Sequence, residues 1–373
     1  MRWVFWGATF LIGYAYIGYA GWLWLRARLW PWPVLRAQLE PYVSIVMVVR
    51  NEERWLESKL RNLLELDYPS DRCQIVVVSD GSTDGTDAIL RQYAGVARVQ
   101  VLMNQLSRGK ASGLNDAISV AAGDVIVFTD ARQKIENEAI RLLMQSFGDP
   151  EVGCVSGALM LGDTDSGEVA KGMGLYWRIE KKIRELESES GSVVGATGAL
   201  YAVRRELLPS VPEGTILDDV YIPMQVARQG KRVIFEAQAR AWDSPDLGAE
   251  REFGRKVRTL SGNYQLVQLA PWLLSKENPI RFEFISHKLL RLIVPFALAA
   301  ALLASIILSG LVYRSALVLQ VLFYGLSLLA GLRLIRGPFA RMADAALTFV
   351  VLNGAAAVAF MNFLTGRKAV WIR

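Results

Sequence analysis

The chain has 373 residues, with 42 Lys and Arg against 36 Asp and Glu and 52% hydrophobic residues. Its single histidine, His287, argues against a Ser-His-Asp triad or a histidine-rich metal site, so a general base here is expected to be a carboxylate. Its two cysteines, Cys73 and Cys154, lack metal-ligand spacing, and the net charge of +6 comes without any recognition motif or aromatic-studded groove for nucleic acid.

No charged residue occurs between Trp3 and Leu25, Leu292 and Tyr313, Ser315 and Leu332, or Ala345 and Gly366. A bilayer core takes roughly 20 apolar residues per helix. Residues 1–28 are therefore expected to form a transmembrane anchor helix. Their apolar stretch is too long for a signal peptide, and no A-x-A-like cleavage site precedes Arg26. Residues 289–373 are expected to form three C-terminal transmembrane helices. The Ser315 run is the shortest and also reads as a buried or re-entrant helix. Arg26, Arg28 and Arg36 follow the first span, and Lys276, Arg281, Lys288 and Arg291 precede the second. Lys and Arg collect in cytoplasmic loops beside anionic headgroups, which puts the intervening segment in the cytosol. Arg367, Lys368 and Arg373 then fall on the wrong side, so the topology of that end stays open.

Within residues 40–245, Val- and Ile-rich runs at 44–49, 75–79, 99–102 and 125–129 read as buried parallel strands. Helical patterns at 54–66, 84–93, 110–121 and 137–147 lie between and after them. That alternation predicts an open α/β sheet, whose ligands sit at the carboxyl ends of the strands. The second half is less regular: a charged helix over 171–189, a Gly-rich segment over 191–198, a strand over 200–203, and a helix opening at Asp218 and Asp219. Residues 246–288 are expected to supply amphipathic interface helices. Phe253, Val257, Leu260, Tyr264 and Val267 share one helical face, with Trp242 and Trp272 as interfacial anchors. An ordinary surface helix fits the same pattern.

Three acidic sites follow predicted strands or open a helix. The first is the run DGSTDGT over 80–86, which has Arg91 where a calcium loop needs a bidentate Glu; capping of the next helix also explains its acids. The second is Asp130, after Thr129. The third is the pair Asp218 and Asp219, where acids also favour a helix N-terminus. No P-loop or dinucleotide fingerprint is present.

Taken with Arg50-Asn51-Glu52 before the first site and Gly109, Lys110 and Asn115 after it, this order resembles the family-2 glycosyltransferases of GT-A fold, over about 43–287. The likeness is to their membrane-bound branch of hyaluronan, chitin, cellulose and poly-N-acetylglucosamine synthases. It implies a Rossmann-like α/β nucleotide-sugar transferase domain with N- and C-terminal transmembrane helices, in the inner or plasma membrane of a bacterium. It further implies that Glu52, Asp80, Lys110 and Asp130 hold the donor nucleotide and that Asp219 is the catalytic base. Gly198, Tyr201 and Asp218 fall on the acceptor side, and Arg255 and Arg258 face the donor diphosphate. The implied partners are a nucleotide-sugar donor, UDP-linked by resemblance, a glycan or lipid acceptor, and membrane lipids; a homo-oligomer or a secretion partner is left open.

Two positions depart from that pattern. Arg132 replaces the second Asp of D-x-D, which removes a hard oxygen ligand and places Mg²⁺ or Mn²⁺ in doubt, with Asp130 the remaining ligand. Arg132 either supplies part of the missing positive charge toward the diphosphate or turns away to pair with an acid. Thr259 replaces the Trp of Q-x-x-R-W and cannot stack on a sugar ring, which weakens a processive reading. Three functions follow in order: addition of hexose or N-acetylhexosamine to a growing glycan with inversion, single glycosylation of a membrane lipid, and a catalytically inactive subunit of a polysaccharide secretion complex.

Overall fold

A computed structural model describes residues 1–162, 175–243, 249–335 and 337–366. Arg336, the C-terminal cluster Arg367, Lys368 and Arg373, and the first part of the helix expected over 171–189 lie outside them.

The chain starts with α1 (Arg2–Gly13), which passes through a π-helical turn at Tyr14–Gly18 into α2 (Tyr19–Leu29). A β–α alternation follows: β1 (Val43–Val49), α3 (Glu53–Leu64), β2 (Cys73–Asp80), α4 (Thr86–Tyr93), β3 (Val99–Asn104), α5 (Lys110–Val120) and β4 (Val125–Phe128). Next come β5 (Lys134–Ile135), α6 (Ala139–Gln145), β6 (Val152–Leu161), α7 (Leu175–Ser190), β7 (Tyr201–Arg204), α8 (Asp218–Arg228) and β8 (Arg232–Asp243). The strands form one sheet in the order β3-β2-β1-β4-β7-β6-β8-β5. β1 runs parallel to both β2 and β4, so the segments leaving these three neighbours emerge at one edge.

Both faces of the sheet are covered, which is why its strands read as unbroken apolar runs. Ile45, Met47, Ile75 and Val77 pack on Leu56, Leu60 and Leu63 of α3. Val46, Val48, Val76 and Val78 face Ala111, Leu114 and Ala117 of α5. Sequence patterning does not announce β6 and β8, although they are 10 and 12 residues long. β7 enters antiparallel between β4 and β6 and breaks the simple alternation that the first half suggests.

After the sheet, α9 (Ala249–Leu269) leads through α10 (Arg281–Phe284) to α11 (Leu290–Ile307), α12 (Leu311–Gly331) and α13 (Ala340–Leu364). Three helices, Arg281–Ile307, Leu311–Gly331 and Ala340–Leu364, are long and apolar enough to cross a membrane. The first begins at Arg281, inside the segment expected to be interfacial. The Ser315 run belongs to a full helix that is largely uncovered by protein. The N-terminal helix is not one of the three; its many Trp and Tyr residues carry polar atoms that lower its hydropathy. It nevertheless lies along α11, with Ala8 against Ala297 and Ala301.

α9 is anchored on two sides. Tyr264 stacks on Phe363 of α13, with centroids 5.1 Å apart. Gly262 lets the helix approach Leu217, whose Cγ would lie 2.5 Å from a Cβ there. Trp242 is not an interfacial anchor: it is buried in β8, and its indole donates to Glu136 at 2.7 Å. Trp272 instead packs against the domain core beneath Arg228. His287 is buried with its two ring nitrogens each 2.8 Å from a carboxylate of α7, Glu187 and Glu180. Tyr19 donates to Glu187 at 2.6 Å, and Arg26 pairs with Glu283. These contacts tie the N-terminal helix and the segment before α11 to α7 and to each other.

Candidate active site

Asn51 follows β1 in left-handed backbone, φ 56°, a conformation asparagine tolerates. Its Oδ1 accepts the N–H of Thr83 at 2.8 Å, and the N–H of Glu52 donates to Thr86 Oγ1 at 2.9 Å. The Arg50-Asn51-Glu52 turn is thereby locked to the DGSTDGT loop. Gly81, at φ 63°, lies so close to the next loop that a Cβ would meet Ser107 N at 2.5 Å.

Asp80 is 2% exposed and accepts three hydrogen bonds: from Ser107 Oγ at 2.8 Å, Arg108 N at 2.8 Å and Gly109 N at 2.9 Å. It is expected on the donor-nucleotide side, and here both its oxygens also shape the turn that starts α5. In this loop the N-cap of α4 is Gly85, and Asp84 accepts the N–H of Thr86 two residues on, at 3.0 Å. Asn115 is likewise structural, exchanging hydrogen bonds of 2.8 and 2.9 Å with the backbone of Val211.

The turn that Asp80 shapes presents Lys110 to the carboxylates. Lys110 Nζ lies 3.0 Å from Asp130 Oδ1 and 3.2 Å from Asp218 Oδ2. Burial opposes its charge, but Asp130, Asp218 and Asp219 outweigh that and hold it well above the usual lysine range. The lysine is thus the counter-ion of the acidic cluster as well as a candidate donor contact. Asp219 Oδ2 accepts the N–H of Gly198 at 3.2 Å. A Cβ on Gly198 would stand 3.4 Å from both Asp130 Oδ2 and Asp219 Oδ2, so this residue separates the two acids. Burial, then Asp218, push the Asp219 carboxyl up to about 6, against the pull of Lys110 and Lys288. Burial and Asp130 also raise Glu52, while Arg132 opposes them.

Tyr201 does not reach an acceptor surface. It is wholly buried on β7 and stacks on Phe128 at 4.6 Å with rings 13° apart. It opens β7 directly after the buried Ala199 and Leu200, already inside the core.

Arg132 turns toward an acid. It pairs with Asp243, which is 2% exposed at the end of β8 and which Arg255 approaches at 3.7 Å. One carboxylate thus faces two guanidiniums beside the Asp130 turn. Asp243 was not foreseen because β8 was not; reading the residues just after that strand would have found it.

For a divalent metal, the donor set is thin. Asp130 Oδ1 is engaged by Lys110, Arg132 stands where a second ligand is needed, and among the described residues no three His, Cys, Asp or Glu side chains group as a metal centre. A hard cation requires about six oxygens. These residues do not fit a resident ion. Asp130 Oδ2 can contribute one ligand to an ion that arrives on the donor phosphates.

Residues 44–211 match the model of Glycosyl transferase family 2. A beta-monoglucosyldiacylglycerol synthase from Synechocystis sp. is 26% identical over 192 residues, 50% of this chain and 40% of that one. A poly-beta-1,6-N-acetyl-D-glucosamine synthase from Staphylococcus epidermidis is 21% identical over 249 residues, 64% of this chain and 58% of the other. The matches therefore span about half the length of these curated relatives. Among solved structures, a mannosyltransferase from Pyrobaculum calidifontis in complex with GDP-Man and Mn²⁺ superposes with a TM-score of 0.74 at 24% identity, covering 96% of this chain and 98% of that one. Residues 44–211 thus match a family 2 glycosyltransferase domain, and the fold is GT-A-like.

Proposed function

We propose that the protein is a membrane-embedded, inverting glycosyltransferase that passes a hexose or N-acetylhexosamine from a nucleoside-diphosphate donor to an acceptor at the bilayer. The observation that carries this reading is the approach of Asp219 and Asp130 to Gly198, an elevated carboxyl near a half-buried one at the carboxyl edge of the sheet. Asp219 takes the proton from an acceptor hydroxyl. The freed oxygen bonds to the anomeric carbon as the bond to the donor phosphate breaks, so one direct displacement inverts the centre. Negative charge gathers on the leaving diphosphate, where the guanidiniums of Arg132 and Arg255 beside Asp243, with Arg258 on the same helix as Arg255, favour the transition state. Glu52 and Asp130 serve the nucleotide side. Asp130 would be the residue to touch any divalent ion that arrived with the donor, and such an ion would supply charge neutralisation there.

Membrane insertion is supported by more than apolar length. Exposed Trp3 and Trp6 mark one end of the N-terminal helix, and exposed Trp22 and Trp24 mark the other. At 1.5 Å per residue, Trp3 and Trp22 stand about 28 Å apart, close to the thickness of a hydrocarbon core. Arg26 and Arg28 follow at the catalytic side, as expected for a cytosolic domain.

A growing glycan is the first acceptor considered. A second reading, single addition to a membrane lipid, is favoured by Thr259, whose hydroxyl donates to Arg255 O of its own helix at 3.0 Å and offers no stacking platform. It also accords with the glycolipid synthase among the relatives. Product length separates them: a ladder supports the glycan, one addition to an extractable lipid supports the other. The direct test is nucleoside-diphosphate release by the protein in nanodiscs, screened over UDP- and GDP-sugars. No release above that of the Asp219→Asn protein rejects the proposal.

The thin metal donor set gives a further expectation. Mn²⁺ alone should leave the melting temperature of the nucleotide-free protein unchanged, and should shift it only when UDP or GDP is also present. A shift with Mn²⁺ alone would reveal a resident site and refute this account.

A further inference from the structure

Behind the Asp130 turn lies a cation that the proposed chemistry does not use. Lys59, on α3, is 3% exposed, and its Nζ donates to Thr129 Oγ1 at 2.8 Å and to Gln133 O at 2.6 Å. Those two acceptors bracket Asp130 and Arg132. One turn further along the same face, Asn62 exchanges two 2.8 Å hydrogen bonds with the backbone N–H and carbonyl of Ile135. α3 thus grips the segment 129–135 at three points. The grip passes onward, because Thr129 Oγ1 donates its proton to Ala199 O at 2.8 Å, and Gly198 beside it donates to Asp219.

We infer that Lys59 and Thr129 are positioning residues: they fix the spacing between the Asp130 turn and the Gly198 segment, and so between the donor-side acid and Asp219. This rests on the transferase reading for its catalytic consequence, though the link between the segments does not. A lysine buried without a carboxylate in contact is costly to keep. Burial pushes its ammonium down to about 7, with Asp130 opposing the change. A methionine would fill the same volume without that cost. The residue instead spends its polar atoms on the two ends of the Asp130 turn, where an apolar side chain leaves a hydroxyl and a carbonyl without a donor.

Thr129→Val keeps the shape and removes the hydroxyl, Thr129→Ser restores it, and Lys59→Met removes the head of the clamp. All are made in the full chain in nanodiscs. Amide exchange, which needs no substrate, is read first. Thr129→Val should speed exchange over 197–200 about fivefold, the loss of one hydrogen bond, although the change lies on another strand. Exchange there at the wild-type rate overturns the inference, whatever the enzyme does. With the donor that wild type turns over, Thr129→Val and Lys59→Met should lower kcat/KM about 100-fold through displacement on the order of 1 Å, with donor KM raised. Thr129→Ser should recover most of it. A loss that vanishes once rates are normalised to folded protein, with KM unmoved, assigns these residues to stability alone and overturns the inference too. Absence of turnover in wild type rejects the transferase reading and leaves the exchange result to decide this one.

Discussion

Asp219→Asn should reduce sugar transfer about 10³-fold while donor binding survives. General-base catalysis contributes typically 10²–10⁴-fold, and an amide is isosteric with the carboxylate but cannot accept the proton. The hydrogen bond from Gly198 persists in the variant, since the amide oxygen still accepts. The sign of the pH dependence follows from the environment. Burial and Asp218 hold the Asp219 carboxyl up at about 6, and only its ionised form is a base. Activity in the wild type should therefore rise as pH increases through about 6 and level off above it. Asp218→Asn deletes a neighbouring negative charge but leaves Lys110, so its acidic limb should move to lower pH. Single-turnover release of nucleoside diphosphate between pH 4.5 and 8 measures both effects. An Asp219→Asn enzyme as fast as wild type, or a limb indifferent to Asp218, removes Asp219 from the role of base.

The parts of this site that were legible in the sequence are those built on strand ends. Asp130, Asp218 and Asp219 attract notice because acids rarely follow buried Val-rich strands or open a helix as a pair without cause, and they do converge on one cluster. The resemblance added the order of motifs, but motif membership does not say which way a side chain faces. Asp80 belongs to the most recognisable run in the chain, and both its oxygens also shape the loop before α5. Tyr201 sits on β7 between Leu200 and Ala202, which are equally buried, because both faces of this sheet are covered. Asp243 and Lys59 escaped notice for different reasons. Asp243 ends a strand with no clean alternation, and Lys59 lies on an amphipathic helix where lysine ordinarily faces water. Long-range pairing is the common cause, because Lys59 meets its partners 70 and 74 residues away.

Lys110→Met should be the most disruptive single change in the cluster. It leaves Asp130, Asp218 and Asp219 facing one another without the cation that now lies 3.0 and 3.2 Å from the first two. Removing one partner from a buried charge pair costs about 3–5 kcal/mol, because the remaining charge stays desolvated. The pH dependence can be signed. The lysine's folded pKa is raised, so its stabilisation is present at all pH values below its ordinary unfolded range and would be lost only in strong alkali. The part of it that comes from Asp219 fades as pH falls through about 6, where that carboxyl protonates. The melting temperature of Lys110→Met should thus lie well below wild type at pH 8, and the gap should narrow toward pH 5. The same charge removal raises Asp219 further, because Lys110 is the first of the groups holding it down. The acidic limb of the rate profile should move above 6, and at pH 7 transfer should fall by about 100-fold from the combined loss of ionised base and of cluster geometry. A structural role with no electrostatic link to the base predicts a lower melting temperature with the limb still near 6. Measuring the two together separates these outcomes. A variant that melts like wild type at pH 8 would show that the three acids do not depend on this lysine, and the charge balance assigned to the site would be wrong.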